Sequence, residues 1–310
     1  MSSSTPVRIG ARGSPLSLAQ TGLVRDALAA ANPGRTFEIT PIVTTGDRIQ
    51  DRRLQDAGGK GLFTKELDEA MLDGRIDLAV HSMKDLPTAL PDEIVLAGVP
   101  AREDPRDALI CAADLRSLLD LPEHAKIGTA SLRRQAQLLA LRPTFQIGML
   151  RGNVETRLRK VAEGEVDATL LAYSGLRRLG LEQHVKLLLD PNETPPAGGQ
   201  GALAITARRG DEGMAAVLAP VEDLATRQEI TAERAFLAAL DGSCRTPIAA
   251  LGRWSDGVMR FVGESLTPDG ARCWRRTDQA PCATEADAAA LGERLGLSLK
   301  AEAGDALYKD

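Results

Sequence analysis

Gly74-Arg75-Ile76-Asp77, followed by Leu78-Ala79-Val80 and closed by His81-Ser82, has a second version further along the chain. There Gly164-Glu165-Val166-Asp167 leads into Ala168 to Ala172 and closes on Tyr173-Ser174. Each is a glycine turn feeding an apolar strand with a polar tip. The segments in front of the two phrases correspond as well. Ahead of the first lie a strand at Val7 to Gly10, a helix capped by Ser14 and running to about Ala30, a strand at Phe37 to Val43 and a helix at Leu62 to Leu72. Pro15 takes the first position of the first helix. Its predicted inward stripe is Leu16, Ala19, Leu23, Val24, Ala27 and Leu28. Ile76 to Val80 is the third strand. Ahead of the second phrase lie Lys126-Ile127-Gly128, a helix over Leu132 to Leu141 capped by Ser131, a strand at Phe145 to Leu150 and a helix at Val154 to Ala162. Alternating strands and helices predict an α/β fold, and the recurring order predicts two similar α/β lobes.

Residues 190–201, Asp-Pro-Asn-Glu-Thr-Pro-Pro-Ala-Gly-Gly-Gln-Gly, break structure strongly. Leu203 to Thr206 reads as a strand returning to the first lobe. Beyond about Val221 the pattern changes to a helix over Thr231 to Leu240, a polar loop, a hairpin from Ile248 to Leu266 turning at Ser255-Asp256-Gly257, and a final helix over Thr284 to Leu295. This predicts a small α+β domain at the C-terminal end. The expected division is 1–103 with 202–220 as lobe 1, 104–201 as lobe 2, and 221–310 as the C-terminal domain.

The 310 residues carry a net charge of −5 and only 3% aromatics, which disfavours a nucleic-acid binder. No apolar run approaches the ~20 residues that span a bilayer. The opening Met-Ser-Ser-Ser-Thr-Pro lacks the basic end and apolar run of a signal peptide, so a cytoplasmic location without membrane attachment is expected. Four cysteines show no paired spacing and three histidines are scattered, which predicts neither a disulfide framework nor a metal site. Of the 38 basic residues, 30 are Arg. Arg grips carboxylates and phosphates in pairs, although genome composition alone produces the same bias.

Placement separates these readings. In open α/β sheets ligands bind beyond the carboxyl ends of strands. Those ends carry Arg12 and Ser14, then Thr44-Thr45-Gly46-Asp47, then Ser82-Met83-Lys84-Asp85, and in the second lobe Thr129, Ser131, Arg133, Arg134 and Arg151-Gly152-Asn153. Ser14 and Ser131 open helices, where free N–H groups favour anions. Arg116, Arg159 and Arg294 read as solvated charges on helix faces. Arg12, Arg133, Arg134 and Arg151 fall at strand–helix junctions and point to a ligand rich in carboxylates or phosphates. Gly58-Gly59-Lys60-Gly61 lacks the spacing of a P-loop, and no dinucleotide fingerprint opens a helix. Asp85 is either a proton carrier and cation stabiliser or a cap paired with Lys84. Cys244, in Asp241-Gly242-Ser243-Cys244-Arg245-Thr246-Pro247, is either a thiolate favoured by Arg245 or an inert buried thiol.

Taken together the motifs resemble the hydroxymethylbilane synthase (porphobilinogen deaminase) family. The matching stretches are R-I-G-A-R-G-S-P-L-S-L-A-Q (8–20), G-G-K-G-L-F-T-K-E-L (58–67), A-V-H-S-M-K-D-L-P-T (79–88), R-E-D-P-R-D-A (102–108), I-G-T-A-S-L-R-R-Q (127–135), L-R-G-N-V-E-T-R-L (150–158), P-A-G-G-Q-G-A-L (196–203) and E-R-A-F-L-A-A-L-D-G-S-C (233–244). The resemblance covers nearly the whole chain and is weakest from about Arg253.

The resemblance implies two periplasmic-binding-protein-like lobes around a cleft, with a third domain bearing the cofactor cysteine. It implies that four porphobilinogen molecules are joined head to tail, each losing ammonia. It implies a covalent dipyrromethane cofactor held by a thioether at Cys244. Each pyrrole carries an acetate and a propionate, which gives the Arg set its partner. The family's cofactor positions match Ser82, Lys84, Asp85, Thr129, Ser131, Arg133, Arg134, Arg151, Gly152, Gln200 and Cys244. Its substrate positions match Arg12, Ser14, Phe63, Arg151, Arg157 and Arg178. Its catalytic positions match Asp85, Lys84 and Arg12, with Asp85 the catalytic carboxylate. Phe63 and the stretch 47–60 resemble the family's active-site loop. Where some members carry a Lys four positions before Lys60, this chain has Asp56, so that charge does not carry over. A monomer is implied, and Cys111, Cys273 and Cys282 are left structural. Two rivals remain: a non-catalytic two-lobed anion sensor, which would need neither Cys244 nor Asp85, and a nucleic-acid binder.

Overall fold

A computed structural model describes residues 5–48, 62–241 and 246–308. In chain order the elements begin with β1 (Val7–Arg12), α1 (Pro15–Ala31), β2 (Phe37–Ile42), α2 (Thr45–Arg48), α3 (Lys65–Leu72), β3 (Leu78–Ser82) and β4 (Ile94–Gly98). Next come β5 (Asp107–Cys111), β6 (Lys126–Gly128), α4 (Leu132–Leu141), β7 (Gln146–Gly148), α5 (Val154–Ala162), β8 (Ala168–Ala172), α6 (Tyr173–Arg178) and β9 (Leu187–Leu188). The chain ends with β10 (Leu203–Arg208), α7 (Glu212–Leu218), α8 (Leu224–Ala239), β11 (Ile248–Ser255), β12 (Val258–Leu266), β13 (Cys273–Pro281) and α9 (Glu285–Ala303). No helix among the described residues is long and apolar enough to cross a membrane.

Two five-stranded sheets share one plan. Their orders are β2-β1-β3-β10-β4 and β7-β6-β8-β5-β9. In each, three parallel strands are followed by an antiparallel strand that comes from a distant part of the sequence. In the first sheet that strand arrives late, at 203–208; in the second it comes first, at 107–111. The two glycine phrases are also one device. Gly74 and Gly164 sit at φ 70° and 74°, a region open to glycine at little cost. Asp77 N–H then donates to Arg8 O and its carboxylate takes Arg8 N–H, both at 2.8 Å. Asp167 repeats this on Lys126, at 2.8 and 2.6 Å. Each aspartate closes the start of the first strand against the start of the third.

The register corrects one correspondence. Ile9 pairs with Leu78 and Ile127 with Ala168. Counting onward, His81 matches Leu171, and Tyr173-Ser174 lie beyond the strand in α6. The face of α1 also differs from the expected stripe. Its buried residues are Ser17, Gln20, Thr21, Val24 and Leu28, whereas Leu23 is 54% exposed. Hydropathy pointed the wrong way because the inward side of the first turns carries polar groups that bond to strand ends. Leu62 to Thr64 form a turn, and the helix expected from Leu62 starts at Lys65. The third strand is shifted to 78–82, and Arg116 lies in a bend rather than on a helix.

Contacts divide the chain into two compact units, 1–103 with 202–227, and 104–201 with 228–310. The first unit buries Ile9, Val24, Leu28, Leu78 and Ile205 around its sheet. The second holds its five-stranded sheet, with Leu109, Ile127, Leu138 and Leu170 in the core, together with the meander β11-β12-β13. α8 and α9 cover that meander, sharing Phe236, Met259, Phe261, Leu291 and Leu295. The capping box at Thr284 opens α9, with the hydroxyl taking Asp287 N–H and the Asp287 carboxylate taking Thr284 N–H. β13 was not foreseen: it alternates as a polar edge strand, C-W-R-R-T-D-Q-A-P, with Trp274 its one buried side chain.

Candidate active site

In the first unit β1 ends at Arg12, whose N–H donates to Ser17 Oγ at 3.1 Å. Its guanidinium lies 3.9 Å from the centre of the Phe63 ring, a cation–π contact. Phe63 occupies space that only a glycine at 46 leaves open, since a Cβ there would come 2.2 Å from the ring. The turn is held by Gly46 N–H on Leu62 O at 2.9 Å and by Thr45, whose N–H and hydroxyl both reach Glu66 Oε1. β3 delivers Ser82, which accepts from Gln20 Nε2 at 3.0 Å. A single 3₁₀ turn follows, with Met83 buried and its N–H on Ala202 O. That anchor leaves Lys84 and Asp85 exposed.

Arg12, Ser14, Phe63, Ser82 and Asp85 line one cavity of about 60 Å³, together with Gln20 and His81. Ser14 caps α1, taking Ser17 N–H at 3.3 Å. His81 is buried, with Nε2 3.2 Å from Thr206 Oγ1. Burial, reinforced by the nearby Arg12 charge, pulls its pKa down to about 4, so the ring is neutral near pH 7. The cavity thus combines one carboxylate, one cation stacked on an aromatic face, and neutral hydrogen-bonding groups.

In the second unit Ser131 caps α4, with its Oγ taking Arg134 N–H at 3.4 Å and its N–H reaching Thr129 Oγ1 at 3.1 Å. Thr129 is itself fixed through its N–H on Gly148 O. The first turn of α4 buries Arg133 and Arg134 against Asp107, at 2.8 and 2.7 Å. Gln200 Nε2 joins the same carboxylate at 2.9 Å and Pro105 O at 2.7 Å. Burial would raise the Asp107 carboxyl, but Arg133 and Arg134 overcome it and hold it well below the usual carboxylate range. Gly152 lies at φ 116°, and a Cβ would meet Thr156 at 2.6 Å, so this turn requires glycine. Its carbonyl takes Arg157 Nε at 3.0 Å. Burial first, then the Arg134 and Arg151 charges, lower the Arg157 pKa to about 10. Arg151 Nη1 is buried with no hydrogen-bond partner among the described residues. Arg178 Nη2 is turned onto Gly201 O at 2.6 Å.

Arg133 and Arg134 therefore share one carboxylate, the charges of Arg134 and Arg151 act on Arg157, and two buried nitrogens, Arg133 Nε and Arg151 Nη1, go unanswered among the described residues. Buried donors are almost always bonded in folded proteins, so this cluster is complementary to anionic groups of a ligand. A compound bearing several carboxylates fits that donor set.

Cys244 lies outside the described residues, as do residues 49–61, which hold most of the 47–60 stretch and Asp56. Cys111 and Cys282 are buried with their sulfurs hydrogen-bonded. Burial of the Cys273 sulfur, with Glu264 beside it, pushes that thiol up to about 11. No group of three or more His, Cys, Asp or Glu suited to a metal occurs among the described residues. Sequence reasoning did not single out Gln20, His81 or Asp107. The only available signal was a polar residue in a position where a core would be apolar, on the buried side of α1 and at the starts and ends of strands.

A family model described as the porphobilinogen deaminase dipyromethane cofactor binding domain matches residues 7–216. A second, the porphobilinogen deaminase C-terminal domain, matches residues 227–301. The porphobilinogen deaminase of Phenylobacterium zucineum (strain HLK1) is 53% identical over 314 residues, covering 97% of this chain and 98% of the relative. That of Caulobacter sp. (strain K31) is 54% identical over 312 residues, covering 97% and 98%. Among solved structures, the second substrate binding domain of a putative amino acid ABC transporter from Streptococcus pneumoniae Canada MDR_19A aligns at 15% identity with a TM-score of 0.44. It covers 69% of this chain and 90% of that one.

Proposed function

The chain belongs to the porphobilinogen deaminase family, and from that premise we propose how its two polar clusters divide the work. The reaction joins four porphobilinogen units head to tail, with release of ammonia, to give hydroxymethylbilane for tetrapyrrole biosynthesis. The enzyme carries a dipyrromethane cofactor.

Arg133, Arg134, Arg151 and Arg157 hold acetate and propionate groups, with Thr129, Ser131, Gly152 and Gln200 shaping that site. Ser82 and Lys84 are assigned to the cofactor as well. Cys244 anchors the cofactor through a thioether. When bound, the dipyrromethane supplies the pyrrole carbon to which the first substrate unit is joined. Arg12, Ser14, Phe63 and Arg178 hold the carboxylates and ring of the incoming substrate. Asp85 gives a proton to the substrate's leaving amine, stabilises the pyrrole cation that results, and accepts the proton lost on coupling. Lys84 and Arg12 keep the electrostatic balance around that carboxylate. We take the working unit to be a monomer, as the family resemblance implies, and its compartment to be the cytoplasm.

The observation that carries this reading is the unanswered Nη1 of Arg151 beside Arg134 and Arg157. Intact-mass measurement of the native, expressed protein tests the anchor. The expected mass exceeds that of the polypeptide by two linked pyrroles, located on Cys244 by peptide mapping. Fully active enzyme with an unmodified mass would overturn it.

A further inference from the structure

Three residues read as cofactor contacts, Arg133, Arg134 and Gln200, meet on one carboxylate that has been given no role. Asp107 opens β5, pairs with Ala172 across the sheet, and offers its carbonyl to Leu189 N–H at 2.9 Å. Its backbone is therefore held from both sides, and its side chain is fully buried. Its two oxygens are divided between the arginines. Oδ2 takes Arg133 Nη1 at 2.8 Å. Oδ1 takes Arg134 Nε and Nη2 at 3.2 and 2.7 Å, and also Gln200 Nε2. The other aspartate of the R-E-D-P-R-D-A stretch, Asp104, is spent on Arg106 at 2.6 Å.

We propose that Asp107 is a positioning residue for the reaction: it fixes the guanidinium planes of Arg133 and Arg134 so that the remaining edge of Arg134 meets a ligand carboxylate. Two nitrogens of Arg134 are committed to Oδ1, which sets the plane of the fork and leaves Nη1 for the ligand. Arg133 Nη1 is satisfied internally by Asp107, Gln137 and Pro195 O, so Arg133 braces the arrangement from within. The charge count matters equally. Two buried guanidiniums with no counter-ion would be prohibitive. Asp107 bonds both directly, and Glu264 acts on Arg133 from further off, with its own charge disfavoured by burial.

The inference rests on the reading that this cluster holds ligand carboxylates, and the test separates the two. Holoenzymes of Asp107→Asn, Arg134→Leu and the double variant are compared for kcat/KM and for the distribution of enzyme-bound intermediates by intact mass. Asp107→Asn is expected to lower kcat/KM about tenfold or more, with partly elongated chains accumulating on the enzyme. The double variant should lose less than the sum of the two single losses, because Asp107 acts in part through the guanidinium of Arg134. Wild-type kinetics in Asp107→Asn, or losses that simply add, would overturn the inference. Wild-type behaviour of Arg134→Leu would sink the carboxylate-holding reading and this inference with it. Should Asp107→Asn not fold, Gln200→Leu removes a neutral partner from the same oxygen and keeps both ion pairs. It must shift the intermediates in the same direction, and an unchanged distribution counts against Asp107.

Discussion

In the first lobe the strand ends carry an exposed aspartate, a histidine kept neutral by burial, and an arginine laid on a phenylalanine. In the second, a sheet with the same strand plan carries Arg133 and Arg134 on one buried carboxylate, with Arg157 under the charges of Arg134 and Arg151. Both lobes open their first helix with a serine cap, and both close the third strand onto the first with an aspartate. The shared plan supplies positions for side chains, and the side chains placed there decide the chemistry. On the function proposed above, the first lobe moves a proton and the second grips anions.

Asp85→Asn is the hardest test of that division. We expect kcat to fall about a thousandfold, the loss typical of removing a general acid–base group. The melting temperature should hold, because Asp85 is exposed and follows a turn anchored by Met83. The pyrrole adduct should remain on the protein by mass. Turnover near that of the wild type would take proton chemistry out of the first lobe and break the contrast.

Arg151→Leu probes the other side and should cost less, about tenfold to a hundredfold in kcat/KM, with stalled intermediates seen by mass. Its stability prediction has the opposite sign from most substitutions of a half-buried arginine. Arg151 Nη1 loses no bond, and Arg157 loses a like-charged neighbour, so the melting temperature should not fall. A lower melting temperature with unchanged kinetics would make Arg151 a structural residue.

Much of this contrast was legible beforehand because its carriers are local. Ser14, Ser131 and Thr284 cap helices where cap chemistry places them, and Arg12, Arg133, Arg134 and Arg151 follow strands directly. What escaped reading is non-local. Phe63 reaches Arg12 across 51 positions (63 less 12), through a gap that exists only because residue 46 is glycine. Asp107 sits among several acids in sequence, and only the fold turns it inward to α4 while Asp104 stays on Arg106. The face of α1 was misjudged for a related reason. Gln20 and Ser17 are buried because they serve strand ends, which a hydropathy pattern scores as exposure. β13 alternates almost entirely polar residues at a sheet edge, so it offered no apolar period.

His81 gives the smallest and most lobe-specific effect. Its register equivalent in the second lobe is Leu171, which does not titrate. In the folded chain burial, with Arg12 nearby, holds His81 at about 4, against about 6.5 when unfolded. The unfolded chain therefore takes up a proton before the folded one does. Stability is fully present above pH 6.5 and drains away as pH falls toward 4, by about 2 kcal/mol between pH 7 and pH 5. His81→Gln keeps a polar partner for Thr206 and removes the titration, so urea melts at pH 7 and pH 5 should differ less than in the wild type. Because the second lobe has leucine at this position, amide exchange should show the acid-sensitive opening in β3 and its neighbour β10 and not in β8 and β5. Equal pH slopes for wild type and variant would mean that His81 takes up its proton in the folded cavity as readily as in the unfolded chain. Below pH 6.5 the first lobe would then present a second cation beside Arg12, and its difference from the arginine-rich second lobe would rest there on Asp85 alone.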